Sequence, residues 1–259
     1  MLTTLGHGQN AFLSAALIGA GAGWLDRRPV LAGVAFGLLA FKPHLGLLLP
    51  VALIAGARWK TFAAAAVTVA LFAGASVAAF GVEAWRGFLA NGALARATLE
   101  LGLVEPGKMV SAFAAVRVLG GPTGLAYAAQ GCIAVGAALG LGWAIRKRPS
   151  GGAEAALIVL AASLASPFLL DYDLAMLAFP LAWLAMQGVA NGFRPWEKIT
   201  LVAAYVLPVV ARPLAMSAHL PLAPLALATL FVLILRRVAN AEDIAPAWAT
   251  PDEVVPKAA

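Results

Sequence analysis

The sequence is short of charge, of cysteine and of acidic residues, and each shortage excludes something. Only 12% of its 259 residues are charged against 62% hydrophobic, and the mean hydropathy is +0.89. A soluble domain is about half apolar, so this balance excludes one. The single cysteine, Cys132, excludes an internal disulfide and a cysteine-built metal cluster, and its apolar neighbours make it a small packing residue. Asp plus Glu number 12 against 18 Lys plus Arg, a net charge of +6. Such a surplus resembles a nucleic-acid signal only until the cations are located: they sit at the ends of apolar runs, so no nucleic-acid partner is assigned. No glycine-rich phosphate loop lies between a strand and a helix, which leaves no Rossmann-type nucleotide pocket and no assigned cofactor.

What is present is a series of apolar runs from Gln9 to Leu235, without the apolar/polar alternation of a transmembrane β-barrel. We read an all-α polytopic bundle with nine membrane segments, at 9–25, 29–41, 45–57, 61–80, 123–145, 153–170, 174–190, 199–211 and 219–235. Placing the N-terminus outside puts twelve of the eighteen basic residues inside, including the compact clusters Arg27–Arg28, Arg58–Lys60, Arg146–Arg148 and Arg236–Arg237. The positive-inside rule favours that orientation, with a cytoplasmic C-terminus in a multi-pass cell (inner) membrane protein. Residues 1–238 then form the membrane domain. Residues 81–122 are an outer loop carrying an interfacial helix, and the proline-containing 239–259 a disordered cytoplasmic tail. Glycines four apart at Gly19/Gly23, Gly33/Gly37 and Gly136/Gly140 are spaced for close helix contact.

The second and third segments flank "FKPHLGLLLP" at residues 41–50. Each is about 13 residues, roughly 20 Å of helix, too short for a hydrocarbon core of about 30 Å. With basic clusters before and after them, the pair should leave and return to the same side as a hairpin whose tip stops below the outer surface. Pro43 explains the break, because it lacks an N–H donor and disfavours the helical conformation at Lys42. A lysine at membrane depth costs a few kcal/mol on insertion scales (about 2.5 to 3.5 at the centre) and calls for a partner or a wet cavity, which points to an anion site; the competing reading is a lysine that snorkels to the headgroups. The same topology sends Asp171, Tyr172 and Asp173 of "SPFLLDYD", Arg212 and His219 of "ARPLAMSAH", and His7, Gln9 and Asn10 of "GHGQN" to the same outer face. Cations neutralise phosphate and a carboxylate accepts a proton, so the set fits a phosphate-bearing lipid and a hydroxyl acceptor. Equally, Gln9 and Asn10 could cap a helix and the aspartates could cap or pair with an arginine. No tight His or Cys spacing is present, and no metal is assigned.

The stretches "GHGQNAFLSAALIGA", "DRRPVLAGVAFGLLAFKPHLGLLLPVALIAGARWKTF" and "SPFLLDYDLAML" together resemble glycosyltransferase family 87, over about residues 6–190. The resemblance implies a multi-span enzyme of the GT-C fold, which takes a polyprenyl-phosphate sugar, typically mannose, and builds α-1,2 links at the outer membrane face on a lipid or glycan acceptor. It assigns Lys42 to the donor phosphate with His44 in support. Gln9, Asn10, Asp171, Asp173 and Arg212 are further substrate-binding candidates, and Lys108 is a weaker one. His44 stands where the family more often has glutamine (KPQ). GT-C enzymes also carry an essential acid in their first outer loop, whereas no Asp or Glu here precedes Asp26. The catalytic acid is therefore unassigned and expected upstream of Met1. The short polar start "MLTTLGHGQN" likewise resembles a loop cut from a longer protein, and a chain without that acid is expected to be an inactive fragment. Two alternatives are a secondary transporter, which calls for inverted repeats and midplane polar groups that the sequence does not clearly display, and a non-catalytic membrane fragment.

Overall fold

The computed structural model describes residues 10–149 and 151–240; Gln9, His7 and the tail beyond residue 240 lie outside the described residues. Eleven α-helices account for most of it: α1 (Ala11–Trp24), α2 (Pro29–Leu38), α3 (Leu49–Ala55), α4 (Trp59–Ala90), α5 (Gly92–Glu100), α6 (Ala112–Val118), α7 (Thr123–Arg146), α8 (Gly151–Ala165), α9 (Ala178–Asn191), α10 (Glu197–Ser217) and α11 (Ala223–Ala239). Among the described residues the only β pairing is one isolated bridge, between Met109 and Leu170. Four helical stretches, Trp59–Glu100, Thr123–Arg146, Asp171–Asn191 and Glu197–Ser217, are long and apolar enough to cross a membrane; Ala11–Trp24, Pro29–Phe41, Pro43–Ala55 and Gly152–Ala165 are shorter apolar helices. The chain is an all-α membrane protein.

Helix α8 is the centre. Apart from Glu154 in its first turn and Ser163 near its end it is apolar on every side, and it packs against α1, α7, α9 and α11. Ala153, Ala156, Leu157, Val159, Leu160 and Ala161 are fully buried. A helix buried all round has no polar face to orient it, so its position is set by its neighbours and by polar contacts at its ends. It stops at Ala165, five residues earlier than the apolar run predicts. Pro167 ends helical hydrogen bonding, Ser166 Oγ accepts from Phe168 N at 3.2 Å, and the last carbonyls are taken by a side chain from α7 described below.

Of the three glycine pairs, only Gly33/Gly37 has both members in close interhelical contact. A Cβ at residue 33 would stand 2.5 Å from Thr61 O and Ala64 Cβ, and one at residue 37 would stand 2.5 Å from Thr68 Cβ and 2.8 Å from Ala65 O. Helices α2 and α4 touch backbone to backbone there. Gly19 faces the Phe179 ring and Gly140 faces Phe231, while nothing lies within 4 Å of a Cβ at Gly23 or Gly136.

Helix α4 runs past the expected end at residue 80. At Gly81 the backbone turns (φ 77°, ψ 164°), a conformation open to glycine alone, and the helix resumes to Ala90 in a new direction. Helix α10 also continues beyond residue 211, to Ser217, holding both Pro208 and Pro213 inside. Prolines are tolerated in membrane helices where neighbours re-satisfy the freed backbone groups. Arg212 thus belongs to a helix and not to the outer loop expected from the sequence.

The end of the bundle opposite Lys42 is held by buried charge. Arg237, 1% exposed, pairs with Glu197 through two contacts of 2.6 Å and donates to Gly192 O at 2.8 Å; Glu197 Oε2 also accepts from Arg194 N at 2.8 Å. This bidentate pair fixes α11 to the turn that begins α10. The α2–α4 contact predicts that Gly33→Leu or Gly37→Leu lowers the midpoint of unfolding in detergent by the equivalent of about 1–3 kcal/mol. Gly23→Leu should leave the same midpoint unchanged.

Candidate functional site

The break at Pro43 sets Lys42 between two 3₁₀ turns, Leu39–Phe41 and Pro43–Gly46, with an extended-side backbone (φ −130°, ψ 72°). Proline at 43 disfavours helix at residue 42, as the sequence indicates. The turn Pro43–Gly46 rests on α8. From there the Lys42 ammonium reaches Asp173 Oδ1 at 2.8 Å, across 131 residues of sequence. The side chains are 13% and 1% exposed. The ammonium also lies 5.3 Å from the centre of the Tyr172 ring, near enough for a cation–π contact.

Asp173 belongs to a 3₁₀ segment, Asp171–Leu177, which packs against α1 and α10. Its second oxygen accepts from Leu170 N at 3.4 Å, while its own N–H donates to Leu170 O at 3.0 Å. One aspartate therefore caps its turn and neutralises the lysine. Asp171, also buried, faces the other way along the segment, and its Oδ2 stands 3.7 Å from Arg212 NH1 on α10. Two residues apart on a tight turn, the carboxylates reach two cations from separate elements. His44 Nε2 is buried without a hydrogen-bond partner among the protein atoms.

Lys42, His44, Asp171, Tyr172, Asp173 and Arg212 are thus drawn to one end of the bundle. Asn10 is exposed just before α1, its carbonyl accepting from Ser14 N at 3.1 Å; among the described residues no hydrogen bond ties its side chain to this group. Lys108, partly exposed at the end of the turn Pro106–Lys108, stands 3.8 Å from Glu105, and among the described residues no ion pair ties it to this group. Gln9 lies outside the described residues. No group of three or more His, Cys, Asp or Glu among the described residues is arranged to hold a metal ion.

A residue absent from the sequence-level candidates shapes the approach to the aspartates. Gln130, in the middle of α7 and 5% exposed, donates to Leu164 O at 2.9 Å and Ala165 O at 3.1 Å and accepts from Phe113 N at 3.1 Å. One amide satisfies two orphan carbonyls at the end of α8 and one orphan N–H at the start of α6. Val110 N then donates to Leu169 O at 2.8 Å, so the stretch before α6 docks on the segment leading to Asp171. Farther on, a Cβ at Gly107 would meet Met216 Cγ at 2.6 Å, and the turn Pro106–Lys108 packs on α10 near Arg212. The signal for Gln130 was a lone amide within a 24-residue apolar helix, where a polar side chain needs a partner.

Breaking a buried ion pair strands the remaining charge, a loss of about 3–5 kcal/mol, whereas replacing both members together is tolerated. Lys42→Met and Asp173→Leu should each lower the unfolding midpoint in detergent strongly, and the double variant should recover most of that loss. A double variant as unstable as the sum of the singles would show that the two charges do not compensate each other.

A family model described as glycosyltransferase family 87 matches residues 1–167, which include Lys42 and His44 and end shortly before Asp171. No curated protein and no solved structure matches the chain. That match covers well over half of the sequence, and with it the chain belongs to glycosyltransferase family 87, a family of membrane glycosyltransferases.

Proposed function

We propose that the protein moves a hexose, mannose by resemblance, from a polyprenyl-phosphate donor to a hydroxyl of a lipid or glycan acceptor, at the extracytoplasmic face of the cell membrane and with the C-terminus in the cytoplasm. The observation that carries the reading is the Lys42 ammonium at the hairpin tip, enclosed by Asp173 and Tyr172 and next to the Asp171–Arg212 pair. In such a transfer the acceptor hydroxyl gives its proton to a base and its oxygen bonds to the anomeric carbon as the bond from that carbon to the phosphate oxygen breaks. The leaving phosphate gains negative charge, and cations placed beforehand stabilise it. Lys42 and Arg212 fill that role. Asp173 holds the ammonium in position before the donor arrives, and Asp171 faces the sugar or the acceptor. His44, with its free Nε2, supports the phosphate oxygens, and Gln9 and Asn10 contact sugar hydroxyls.

Apolar surface beside the hairpin supports a donor with a lipid part. Two apolar cavities of about 440 and 460 Å³ share Ala40, Pro43 and Val69 and follow α4 on either side of the hairpin tip, one toward Leu53 and Phe62, the other toward Trp85 and Phe88. Pro43, the residue after Lys42, lines both. A branched isoprenoid chain in this groove would bring its phosphate to the ammonium, with apolar burial of about 25 cal/mol per Å² as the driving force.

Two outcomes follow. With labelled polyprenyl-phosphate mannose and membranes carrying the full-length protein, Lys42→Ala should reduce transfer about 10²-fold or more, the scale of one preorganised contact to developing charge. The double variant Lys42→Met/Asp173→Leu, once its unfolding midpoint shows that it keeps the fold, should be equally impaired; transfer by it at the unaltered rate removes Lys42 from the reaction. For orientation, in a Cys132→Ser background a membrane-impermeant thiol reagent applied to intact cells should label Leu103→Cys and leave Lys147→Cys unlabelled. The reverse pattern overturns the assignment of faces.

A further inference from the structure

The end of the bundle opposite Lys42 contains a polar cavity that the proposed transfer does not use. It measures about 470 Å³ and lies between the α3–α4 turn and the C-terminal end of α7, with Asp26, Gly56, Arg58, Arg146 and Arg148 among its lining residues. Its one carboxylate is already engaged, since Arg58 NH1 donates to Asp26 Oδ1 at 2.7 Å. Arg58 NH2 turns inward to Glu154 Oε2, at 2.9 Å, so this guanidinium is fixed by two acids, one in the α1–α2 turn and one in α8. Its Nε is buried with no acceptor, tight against Gly56, where an added Cβ would lie 3.2 Å from that nitrogen. Arg146 and Arg148 complete the cation set. Among the described residues neither has an acidic partner within ion-pair distance. Arg148 is held in a left-handed conformation (φ 53°) just after the helix.

Cations at a helix C-terminus complement the helix dipole, but that effect needs one charge and acts within the last turn. Here two arginines without acids join a third that is fixed in place, around a hollow wide enough for a phosphate group. The surroundings are those of a lipid headgroup. Trp24, Trp59 and Trp143 all lie near this end and all are exposed, at 38%, 59% and 43%, as in the aromatic belts found where membrane meets water. Ile54, 51% exposed, adds an apolar surface beside the cavity for acyl chains.

We propose that this cavity binds the phosphate of an anionic phospholipid from the leaflet facing the Arg146–Arg148 cluster. Arg146 and Arg148 hold the phosphate oxygens, Arg58 closes the floor, and the acyl chains lie along Ile54 and Trp143. Basic pockets between membrane helices bind such headgroups, and each cation near the surface adds to the attraction. Asp26 stays on Arg58 and away from the phosphate. The proposal is independent of the sugar transfer and would survive the loss of that reading.

The test is native mass spectrometry of the full-length protein in mild detergent, titrated with phosphatidylglycerol or with phosphatidylcholine, and repeated with millimolar inorganic phosphate. The expected result is retention of phosphatidylglycerol and not phosphatidylcholine, weakened tenfold or more by Arg146→Gln/Arg148→Gln. Lys147→Gln should change it little, because Lys147 is turned toward the Trp143 ring, 5.9 Å from its centre, and is not part of the cavity wall. Unchanged unfolding midpoints identify the loss as one of binding and not of fold. Equal retention of the two lipids overturns the proposal. So does an equal loss in Lys147→Gln, which would mark diffuse surface charge, or displacement of the lipid by inorganic phosphate, which would mark a site for the free ion.

Discussion

An ammonium withdrawn from water must find its counter-charge within the protein, and the Lys42–Asp173 contact is where this chain meets that demand. Much of the architecture at that end follows from it. The hairpin of α2 and α3 is pinned at its tip to a turn 131 residues later in sequence, with α8 beneath it and α1 and α10 beside the aspartates. Because Asp173 also caps its own 3₁₀ segment, the ion pair fixes backbone as well as side chains. Asp171 is thereby aimed at Arg212, and a second charge pair forms beside the first.

Charge at the two ends of the bundle is handled differently. Around Lys42 the cations are shared one to one with carboxylates at 2.8 and 3.7 Å, and an imidazole nitrogen remains unpartnered. An arriving phosphate can enter that arrangement by competing for the same cations. At the opposite end the Glu197–Arg237 pair is closed, each group saturated by backbone and counter-charge, and serves as a clamp. Arg58 is likewise held by two acids, while among the described residues Arg146 and Arg148 have no acidic partner. The saturated contacts hold the helices, and the unsaturated ones are where ligands are proposed.

Neutral polar contacts complete the frame. Gln130 joins three backbone groups of α6 and α8 that no water could reach, and an unpaired group there would cost about 1–3 kcal/mol. Beside that anchor the stretch before α6 docks through Val110 on Leu169 and through Gly107 on Met216.

The amino-acid sequence by itself determined the helical class, the break at Pro43, and the gathering of Lys42, His44, Asp171, Asp173 and Arg212 at one end. The reason is that apolar run length, proline geometry and the order of crossings are all local or additive along a chain. It also contained the family resemblance on which the functional reading depends. Its boundaries failed at two helix ends: α8 stops at Ala165, before Pro167, with Gln130 donating to its last carbonyls, and α10 carries Pro208 and Pro213 through to Ser217. Only the tertiary structure decided that Asp173 takes Lys42 while Asp171 takes Arg212, that Gly33 and Gly37 make the close contact and Gly23 does not, and that Arg58 bridges Asp26 and Glu154. Those choices depend on how helices cross and rotate against one another, a matter of packing between distant segments that no local pattern of residues encodes.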